Sequence, residues 1–273
     1  MADPVDLVLF DLGGVLIELS GVRVMLELTG IESEEELWRR WLTCRWVRRF
    51  ESGGCPEAEF AAGVVADWRL ELSPAAFLEA FRSWPVGPLP GAEELVAQTR
   101  MSVATGCFSN TNALHWQDFA AWSLAGLFDH RFLSFELGLL KPDSAAFARV
   151  AAMLGIPAER VLFLDDNAMN VAGAAAAGFQ AVRAVGVDEA RQRLAEAGVL
   201  AAARLAAGAQ GALARPHTPP SCPHARQSSR TVGAPAAGWT RRDPDKPIME
   251  YPAAARLQSR TIMDKNGHDR TSR

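Results

Sequence analysis

A chain of 273 residues that is 49% hydrophobic is long enough to bury the core of one large domain or two modest ones. Its net charge of −4 gives no general attraction for nucleic acid, and it contains no run of about 18 apolar residues to span a membrane. Its four cysteines are scattered, and no histidines stand at zinc spacing, which argues against a disulfide framework or a zinc site. With no basic leader at the N-terminus, the chain is predicted to be soluble and cytoplasmic.

The first predicted element is a buried strand that ends in an aspartate. A mostly apolar run from Val5 to Phe10 leads directly into Asp11, and Gly13 and Gly14 follow. Such a run is typical of a strand that is buried on both faces of a parallel sheet. Asp11 would then lie at the carboxyl end of the strand, where open parallel sheets bind their ligands. The glycines would let the backbone turn tightly beside a small charged ligand.

Residues 19–87 have a helical pattern that is rich in aromatic residues. Ser33 begins a capping box, and the tryptophans behind it are spaced as on one helix that continues to the break at Ser52. Another helix is predicted to begin at Pro56, and Ser73-Pro74 has the signature of a third helix start. We expect these aromatic stripes to form the core of a small helical domain that is inserted after the first strand.

From residue 91 onward, predicted strands and helices alternate. The further strands are expected at 103–108, near 132–135, at 161–164 and at 179–185, and the last helix is expected to reach about residue 205. This alternation is typical of an α/β fold with a doubly wound parallel sheet. The α/β core would comprise residues 1–18 and 88–205. Residues 206–273, rich in Ala, Pro and Arg, are predicted to be a disordered basic tail.

Three of the predicted strands end in polar residues that can converge. Asp11 follows the first strand, Ser109-Asn110 a second and Asp165-Asp166 a third. Parallel strands share one carboxyl edge, so these side chains can lie close together. Clustered carboxylates favour a hard cation such as Mg²⁺, which is bound through oxygen together with water and a substrate phosphate.

Lys141 is the candidate cation for the same anion. It is the only lysine before residue 246, because arginine fills the other basic positions of the predicted folded part. Simpler interpretations stay open for several of these residues: an N-cap pair at Asp165-Asp166, a capping role for Ser109 and a surface position for Lys141. His115 is read either as a helix-surface residue or as a substrate contact.

These motifs resemble those of the haloacid dehalogenase-like phosphohydrolases. Four motifs can be placed in the family's order, and they are Phe10-Asp11-Leu12-Gly13-Gly14-Val15, Phe108-Ser109-Asn110, Lys141-Pro142, and Phe163-Leu164-Asp165-Asp166 with Asn170. The chain is most similar to subfamily IA members with a helical cap, in the subgroup that includes bacterial α-D-glucose-1-phosphate phosphatase. The resemblance covers about residues 5–200.

The resemblance implies a nucleophile and a metal site. Asp11 would take the phosphoryl group of the substrate as an aspartyl-phosphate. Mg²⁺ would be held by Asp11, the main-chain carbonyl of Gly13 and Asp166, with Asp165 behind them. The substrate would be a small phosphorylated metabolite, such as a sugar phosphate.

The resemblance also implies how the phosphate is held. Ser109 and Asn110 would bind the transferring phosphoryl group, Lys141 would neutralise its charge, and Asn170 would help to orient the site. The inserted helices would form the mobile cap that excludes water and selects the substrate.

One position departs from the family pattern. Most phosphatases of the family have a second aspartate two residues after the nucleophile as general acid and base, and here that residue is Gly13. The metal contact needs only the main chain, so it is retained, whereas losing the proton donor should slow turnover by about 10²–10⁴-fold. Turnover should be slowed less for substrates whose leaving group needs little protonation, such as an anomeric sugar oxygen. Glu18 or a cap residue could replace the acid.

Halide displacement, phosphonate cleavage and a phosphate-sensing or partner-binding role are the alternatives to the expected Mg²⁺-dependent phosphatase. Halide displacement uses the aspartate without metal, and the paired Asp165-Asp166 argues against it. Phosphonate cleavage through a cap lysine is excluded, because residues 19–87 contain no lysine. A weakly active or inactive phosphate-sensing or partner-binding protein stays open, because Gly13 lacks the acid.

Overall fold

The computed structural model describes residues 4–201, and the predicted tail at 206–273 lies outside them. The strands are β1 (Leu7–Phe10), β2 (Ile17–Leu19), β3 (Pro85–Pro88), β4 (Ala104–Ser109), β5 (His130–Leu133), β6 (Val161–Asp165) and β7 (Gln180–Arg183). The helices are α1 (Gly21–Thr29), α2 (Glu34–Thr43), α3 (Arg45–Glu51), α4 (Glu57–Trp68), α5 (Pro74–Arg82), α6 (Ala92–Arg100), α7 (Ala113–Ala120), α8 (Ser134–Leu137), α9 (Ser144–Leu154), α10 (Ala168–Ala176) and α11 (Gly186–Glu196).

Five strands form a parallel sheet in the order β5-β4-β1-β6-β7, with β1 at its centre. The side chains of β1 alternate between the two faces. Val8 and Phe10 pack with residues of α6 and α11, whereas Leu7 and Leu9 pack with residues of α9 and α10. Since both faces are covered, the whole of β1 is buried, which explains its nearly continuous apolar sequence. The predicted doubly wound α/β fold is confirmed.

Helices α1–α5 lie between β2 and β3 and surround a cluster of aromatic side chains. The ring centroids of Phe50 and Phe60 are 4.3 Å apart, and those of Trp41 and Trp84 are 5.0 Å apart. The predicted helix starts at Ser33 and Ser73 are present, and both side chains accept a capping hydrogen bond. The division of the chain at residues 19–87 stays a prediction.

Some predicted elements have different bounds. The helix predicted to run from Ser33 to Ser52 is two helices, because Cys44 is extended between α2 and α3. This break lets Trp41 and Phe50 pack into one cluster. The last helix ends at Glu196 rather than near residue 205, and the left-handed conformation of Gly198 (φ 72°) follows it.

Residues 85–88 form a strand, β3, in which two of the four residues are proline. It pairs antiparallel with β2 in a separate two-stranded sheet that leads into and out of the helical block. Proline is tolerated there, because a two-stranded sheet has only edge strands. The predicted strand near 132–135 begins earlier, at His130, and residues 134–137 form α8.

Within residues 4–201, none of the helices has both the length and the apolar character that crossing a bilayer requires.

Candidate active site

Three carboxylates meet at the carboxyl edge of the parallel sheet. Asp11 follows β1, Asp165 ends β6 and Asp166 comes next, and one oxygen of each lies within 4.8 Å of the others. The main-chain N–H of Leu12 donates to Asp11 Oδ1 at 2.7 Å, which orients the Asp11 carboxylate. The structure therefore brings together the three aspartates that the sequence placed at strand ends.

Lys141 is buried between two of these carboxylates. Its Nζ lies 3.0 Å from Asp11 Oδ1 and 2.5 Å from Asp165 Oδ2, and its side chain is 1% exposed. The rings of Phe108 on β4 and Phe163 on β6 lie beside Lys141, and their centroids are 5.4 and 5.2 Å from Nζ. Burial opposes the charge of Lys141, but Asp11 and Asp165 outweigh this effect and raise its pKa above the usual 10.5. The site therefore contains a fixed cation.

The side chain of Asn110 holds Lys141 in place. Its Nδ2 donates to the carbonyl of Lys141 at 2.8 Å, and the N–H of Lys141 donates to its Oδ1 at 2.9 Å. Because the amide is used in this way, a contact of Asn110 with phosphate would come from its main chain. Ser109, which is 5% exposed, lines the same cleft as Asp11 and Lys141.

Asp165 is fully occupied by protein donors. Its Oδ1 accepts from the N–H of Asn167 at 2.9 Å and from Asn170 Nδ2 at 3.0 Å, while its Oδ2 receives Lys141. This arrangement leaves Asp11 and Asp166 to face a ligand. Asn170 Oδ1 is buried and has no partner among the described residues, so an acceptor is available for water bound to a metal.

The charges of this site suit a divalent cation. Burial raises the pKa of Asp11 to about 7, with Asp165 and Asp166 adding to the rise and Lys141 opposing it. Burial also raises the pKa of Asp166 to about 6, and the neighbouring Asp165 contributes. A hard cation would relieve both effects, and an all-oxygen donor set is what Mg²⁺ prefers.

Gly14 makes room for the Asp166 carboxylate. Its backbone is left-handed (φ 71°), and a Cβ at this position would lie 2.2 Å from Asp166 Oδ2. Gly13 lies beside it and also lines the cleft. A side chain at Gly14 would therefore both strain the backbone and displace a candidate metal ligand.

The cleft above these residues has a volume of about 1410 Å³. Its walls include tryptophans from the helical block and from the α/β core, and these are Trp38, Trp41, Trp84, Trp116 and Trp122. Aromatic walls around a few polar groups are typical of small-molecule sites.

The sequence pattern missed one residue of this cleft, Glu51, and left the role of another, His115, undecided. Glu51, at the end of α3, is only 8% exposed and lines the cleft, although its sequence suggested only a helix end. His115 also lines the cleft, but its Nε2 donates to the carbonyl of Phe81 at 2.7 Å and its ring stacks on that of Phe81. Burial lowers the pKa of His115 to about 4, so it is neutral at pH 7.

Residues 5–178 match the family described as haloacid dehalogenase-like hydrolase. The chain therefore belongs to the haloacid dehalogenase-like hydrolases, and the predicted family is confirmed.

Two curated proteins are similar to parts of the chain. A phosphoserine phosphatase of Thermus thermophilus is 31% identical over 171 residues, which are 59% of this chain and 66% of that protein. Drimenol cyclase drtB of Aspergillus calidoustus is 40% identical over 68 residues, which are 25% of this chain and 13% of that protein. The chain spans less than two thirds of the length of either relative.

Solved structures of two proteins share the fold over most of their length. The HAD family enzyme bt-2542 of Bacteroides thetaiotaomicron has a TM-score of 0.54 at 25% identity and covers 67% of this chain and 94% of its own. That enzyme has also been crystallised with magnesium and inorganic phosphate, in a structure that is 24% identical with a TM-score of 0.52. A HAD-like family hydrolase of Porphyromonas gingivalis has a TM-score of 0.54 at 25% identity, and the match covers 70% of this chain and 98% of that hydrolase.

Proposed function

We propose that this protein is a Mg²⁺-dependent phosphatase that hydrolyses a small phosphorylated metabolite through an aspartyl-phosphate at Asp11. The observation that carries the proposal is the group of Asp11, Lys141 and Asp166 at the carboxyl edge of the sheet, in which Asp11 and Lys141 are buried and Asp166 is half-buried. It combines an oriented carboxylate nucleophile with a fixed cation and a second carboxylate that is free to bind metal. The similarity to a phosphoserine phosphatase supports the same reaction class.

In this proposal, Mg²⁺ is held by Asp11, the main-chain carbonyl of Gly13 and Asp166. The bound ion would neutralise charge on the phosphate as it approaches the Asp11 carboxylate. Asp165 and Asn170 stand behind the ligands, since Asp165 already binds Lys141 and Asn170.

The phosphate would be held on its other side by Ser109, the main chain at Asn110 and Lys141. Lys141 lies 3.0 Å from Asp11, so its charge would offset repulsion between the nucleophile and the anionic phosphoryl group. Its rigid attachment to Asn110 would keep this cation in place throughout the reaction.

For the substrate we infer a small metabolite with an apolar or ring-shaped face, such as a sugar phosphate. The tryptophans along the cleft support this inference, because they would contact the body of the substrate while the phosphate lies at the strand ends. Glucose-1-phosphate and phosphoserine are the first two compounds to compare. The predicted cytoplasmic location stays a prediction.

Hydrolysis of p-nitrophenyl phosphate tests the proposed function. With Mg²⁺, the protein should release p-nitrophenolate, EDTA should stop the release, and Asp11→Asn should lower kcat by at least about 10³-fold because the nucleophile is lost. Asp67→Asn, which removes an exposed carboxylate paired with Arg45 away from the cleft, is the matched control and should retain full activity.

Three results would contradict the proposal. Turnover that survives Asp11→Asn would exclude the aspartyl-phosphate route. Binding of Mg²⁺ without turnover of any phosphate ester would favour the phosphate-sensing or partner-binding alternative, and metal-free chloride release from a 2-haloacid would restore the dehalogenase alternative.

A further inference from the structure

The proposed phosphatase reaction needs a proton that Gly13 cannot supply. When the bond from phosphorus to the leaving oxygen breaks, an alkoxide leaving group requires protonation. The described carboxylates at the strand ends are already used: Asp11 is the nucleophile, Asp165 binds Lys141, and Asp166 faces the metal position. Any side chain that donates this proton must therefore come from elsewhere in the cleft.

Glu51 is a buried carboxyl group in the wall of that cleft. It ends α3, it is 8% exposed, and it lines the cleft together with Asp11 and Lys141. Glu18, the alternative considered from the sequence, is an exposed residue of β2. Glu51 is therefore the better placed of the two to meet a substrate in a water-poor part of the cleft.

The main chain at Glu51 is anchored to the phosphate-binding side of the core. Ser134 Oγ donates to the carbonyl of Glu51 at 2.7 Å and accepts from the N–H of Thr111 at 2.9 Å. Thr111 directly follows Asn110, so one buried hydroxyl connects Glu51 to the loop proposed to bind the phosphoryl group. Two residues after Glu51, the backbone of Gly53 packs closely against that of Phe135, so that a Cβ added to Gly53 would be 2.7 Å from the Phe135 carbonyl oxygen.

The groups around Glu51 keep its carboxyl free of an ion pair. Arg48, on the same helix, is paired with Asp143 at 2.6 Å, and Lys141 is paired with Asp11 and Asp165. Within residues 4–201, none of the ion pairs includes Glu51. Burial raises the pKa of Glu51 to about 7 and Asp11 adds to the rise, while a hydrogen bond from Trp41 and the charges of Arg48 and Lys141 oppose it. A carboxyl group with this pKa can both hold and release a proton near neutral pH.

We propose that Glu51 is the general acid and base of this phosphatase, in place of the aspartate missing at residue 13. The inference rests on the proposed function. As Asp11 bonds to phosphorus and the leaving oxygen departs with the bonding electron pair, the Glu51 carboxyl gives its proton to that oxygen. The Glu51 carboxylate then takes a proton from the water that attacks the aspartyl-phosphate. Phosphate leaves, and Asp11 and the protonated Glu51 are restored.

The test compares two leaving groups in Glu51→Gln. Glutamine has the shape of the protonated carboxyl group but donates no acidic proton. We expect kcat/KM for glycerol phosphate, an alkyl ester, to fall by about 10²–10⁴-fold, and kcat/KM for p-nitrophenyl phosphate to fall by less than about tenfold. Glu36→Gln, at an exposed glutamate of α2 outside the cleft, is the matched control and should change neither value.

Restoring an acid at the usual position provides a second test. A Cβ at Gly13 would meet only the end of the flexible Leu19 side chain, at 2.6 Å, so an aspartate can be introduced there. Gly13→Asp added to Glu51→Gln should recover at least about tenfold of the lost kcat/KM for glycerol phosphate. A purely structural role of Glu51 would give no such recovery.

The wild-type protein supplies a third readout that does not depend on the folding of a variant. Its kcat/KM for glycerol phosphate should fall relative to that for p-nitrophenyl phosphate as the pH rises through about 7, because Glu51 then loses its proton. Equal losses for both esters in Glu51→Gln, no loss, or a constant ratio across pH would overturn the role of Glu51. Inactivity of the wild-type protein towards both esters would overturn the proposed function itself.

Discussion

Lys141 is the residue on which the charges of the site depend. It is buried beside two carboxylates, and a buried carboxylate without a counter-charge carries a desolvation penalty of several kcal/mol. The Asn110 side chain donates to the main-chain carbonyl of Lys141 and accepts from its N–H, and this fixes the main chain from which the ammonium group reaches Asp11 and Asp165. The same arrangement that stabilises the charges of the site would therefore orient a phosphoryl group.

Gly14 and Gly138 have the same backbone conformation, so the metal site can be tested by adding one methyl group at each. Both have φ 71°, so the backbone strain of alanine alone should cost each about 1–2 kcal/mol of stability. Only at Gly14 does the new Cβ meet Asp166, because Gly138 has nothing within 4 Å of that position. Gly14→Ala should therefore also weaken Mg²⁺ binding by about 10–100-fold.

The measurement is the rise of the thermal unfolding midpoint during a titration with Mg²⁺, for both variants and the wild-type protein. Gly138→Ala should show the wild-type dependence on Mg²⁺ from a lower starting midpoint. The same Mg²⁺ dependence in Gly14→Ala would contradict the assignment of Asp166 as a metal ligand.

Among the residues of the site, the sequence pattern predicts those that follow strands and misses Glu51, which comes from a helix. Asp11, Asp165 and Asp166 can be placed together because each follows an apolar run in a parallel sheet. Glu51 ends a short helix beside a Ser-Gly-Gly break, and such glutamates are usually exposed. Its burial depends on how α3 packs against Ser134, a contact between residues 83 positions apart that no local pattern encodes.

At the scale of elements, His115 connects α7 of the core to α5 of the helical block. The carbonyl of Phe81 belongs to the last turn of α5, where it accepts from the N–H of Trp84 at 3.1 Å and also from His115 Nε2 at 2.7 Å. Asn112 lies next to the other ring nitrogen at 3.3 Å. A neutral ring that donates through Nε2 and accepts through Nδ1 satisfies both contacts.

This contact should make the stability of the protein sensitive to acid. The folded state holds the pKa of His115 at about 4, whereas the unfolded chain binds a proton as the pH falls below about 6.5. The unfolded state therefore binds more protons between these values, and the free energy of unfolding should fall by up to about 3 kcal/mol from pH 6.5 to pH 4 through this group.

Urea denaturation of the wild-type protein and His115→Gln at pH 7 and pH 4.5 measures the effect. Buried carboxyl groups with raised pKa values act in the opposite direction, but they do so in both proteins and cancel in the difference. The difference in stability between the two proteins should shrink at the lower pH. A difference that does not change with pH would contradict the neutral contact of His115.

Sequence patterns predicted which elements exist better than where they end. The N-caps Ser33 and Ser73 are local signals, and both helices begin as predicted. The break at Cys44 and the pairing of β2 with β3 depend on contacts distant in the chain. Glu18, for example, pairs with Gly87 across the whole helical block. Such pairings are decided by tertiary structure, which overrides local propensity.

At the scale of the whole molecule, the strand order explains why the site lies where it does. β1 is central, with β4 and β6 on its two sides, so residues that are far apart in the chain meet at one carboxyl edge. The helical block enters and leaves beside the same edge through β2 and β3, and its side chains form part of the cleft wall. The alternation of strands and helices predicted this core, whereas the lining of the cleft depends on packing that the sequence pattern does not encode.

Detection of the covalent intermediate is the most direct test of the proposed aspartyl-phosphate at Asp11. The protein is mixed with excess p-nitrophenyl phosphate and Mg²⁺, quenched in acid during turnover, digested and analysed by mass spectrometry. We predict that the peptide containing Asp11 carries one added phosphoryl group and that Asp11→Asn carries none. Steady turnover without a phosphorylated peptide, or a phosphoryl group on another residue, would contradict hydrolysis through an aspartyl-phosphate at Asp11.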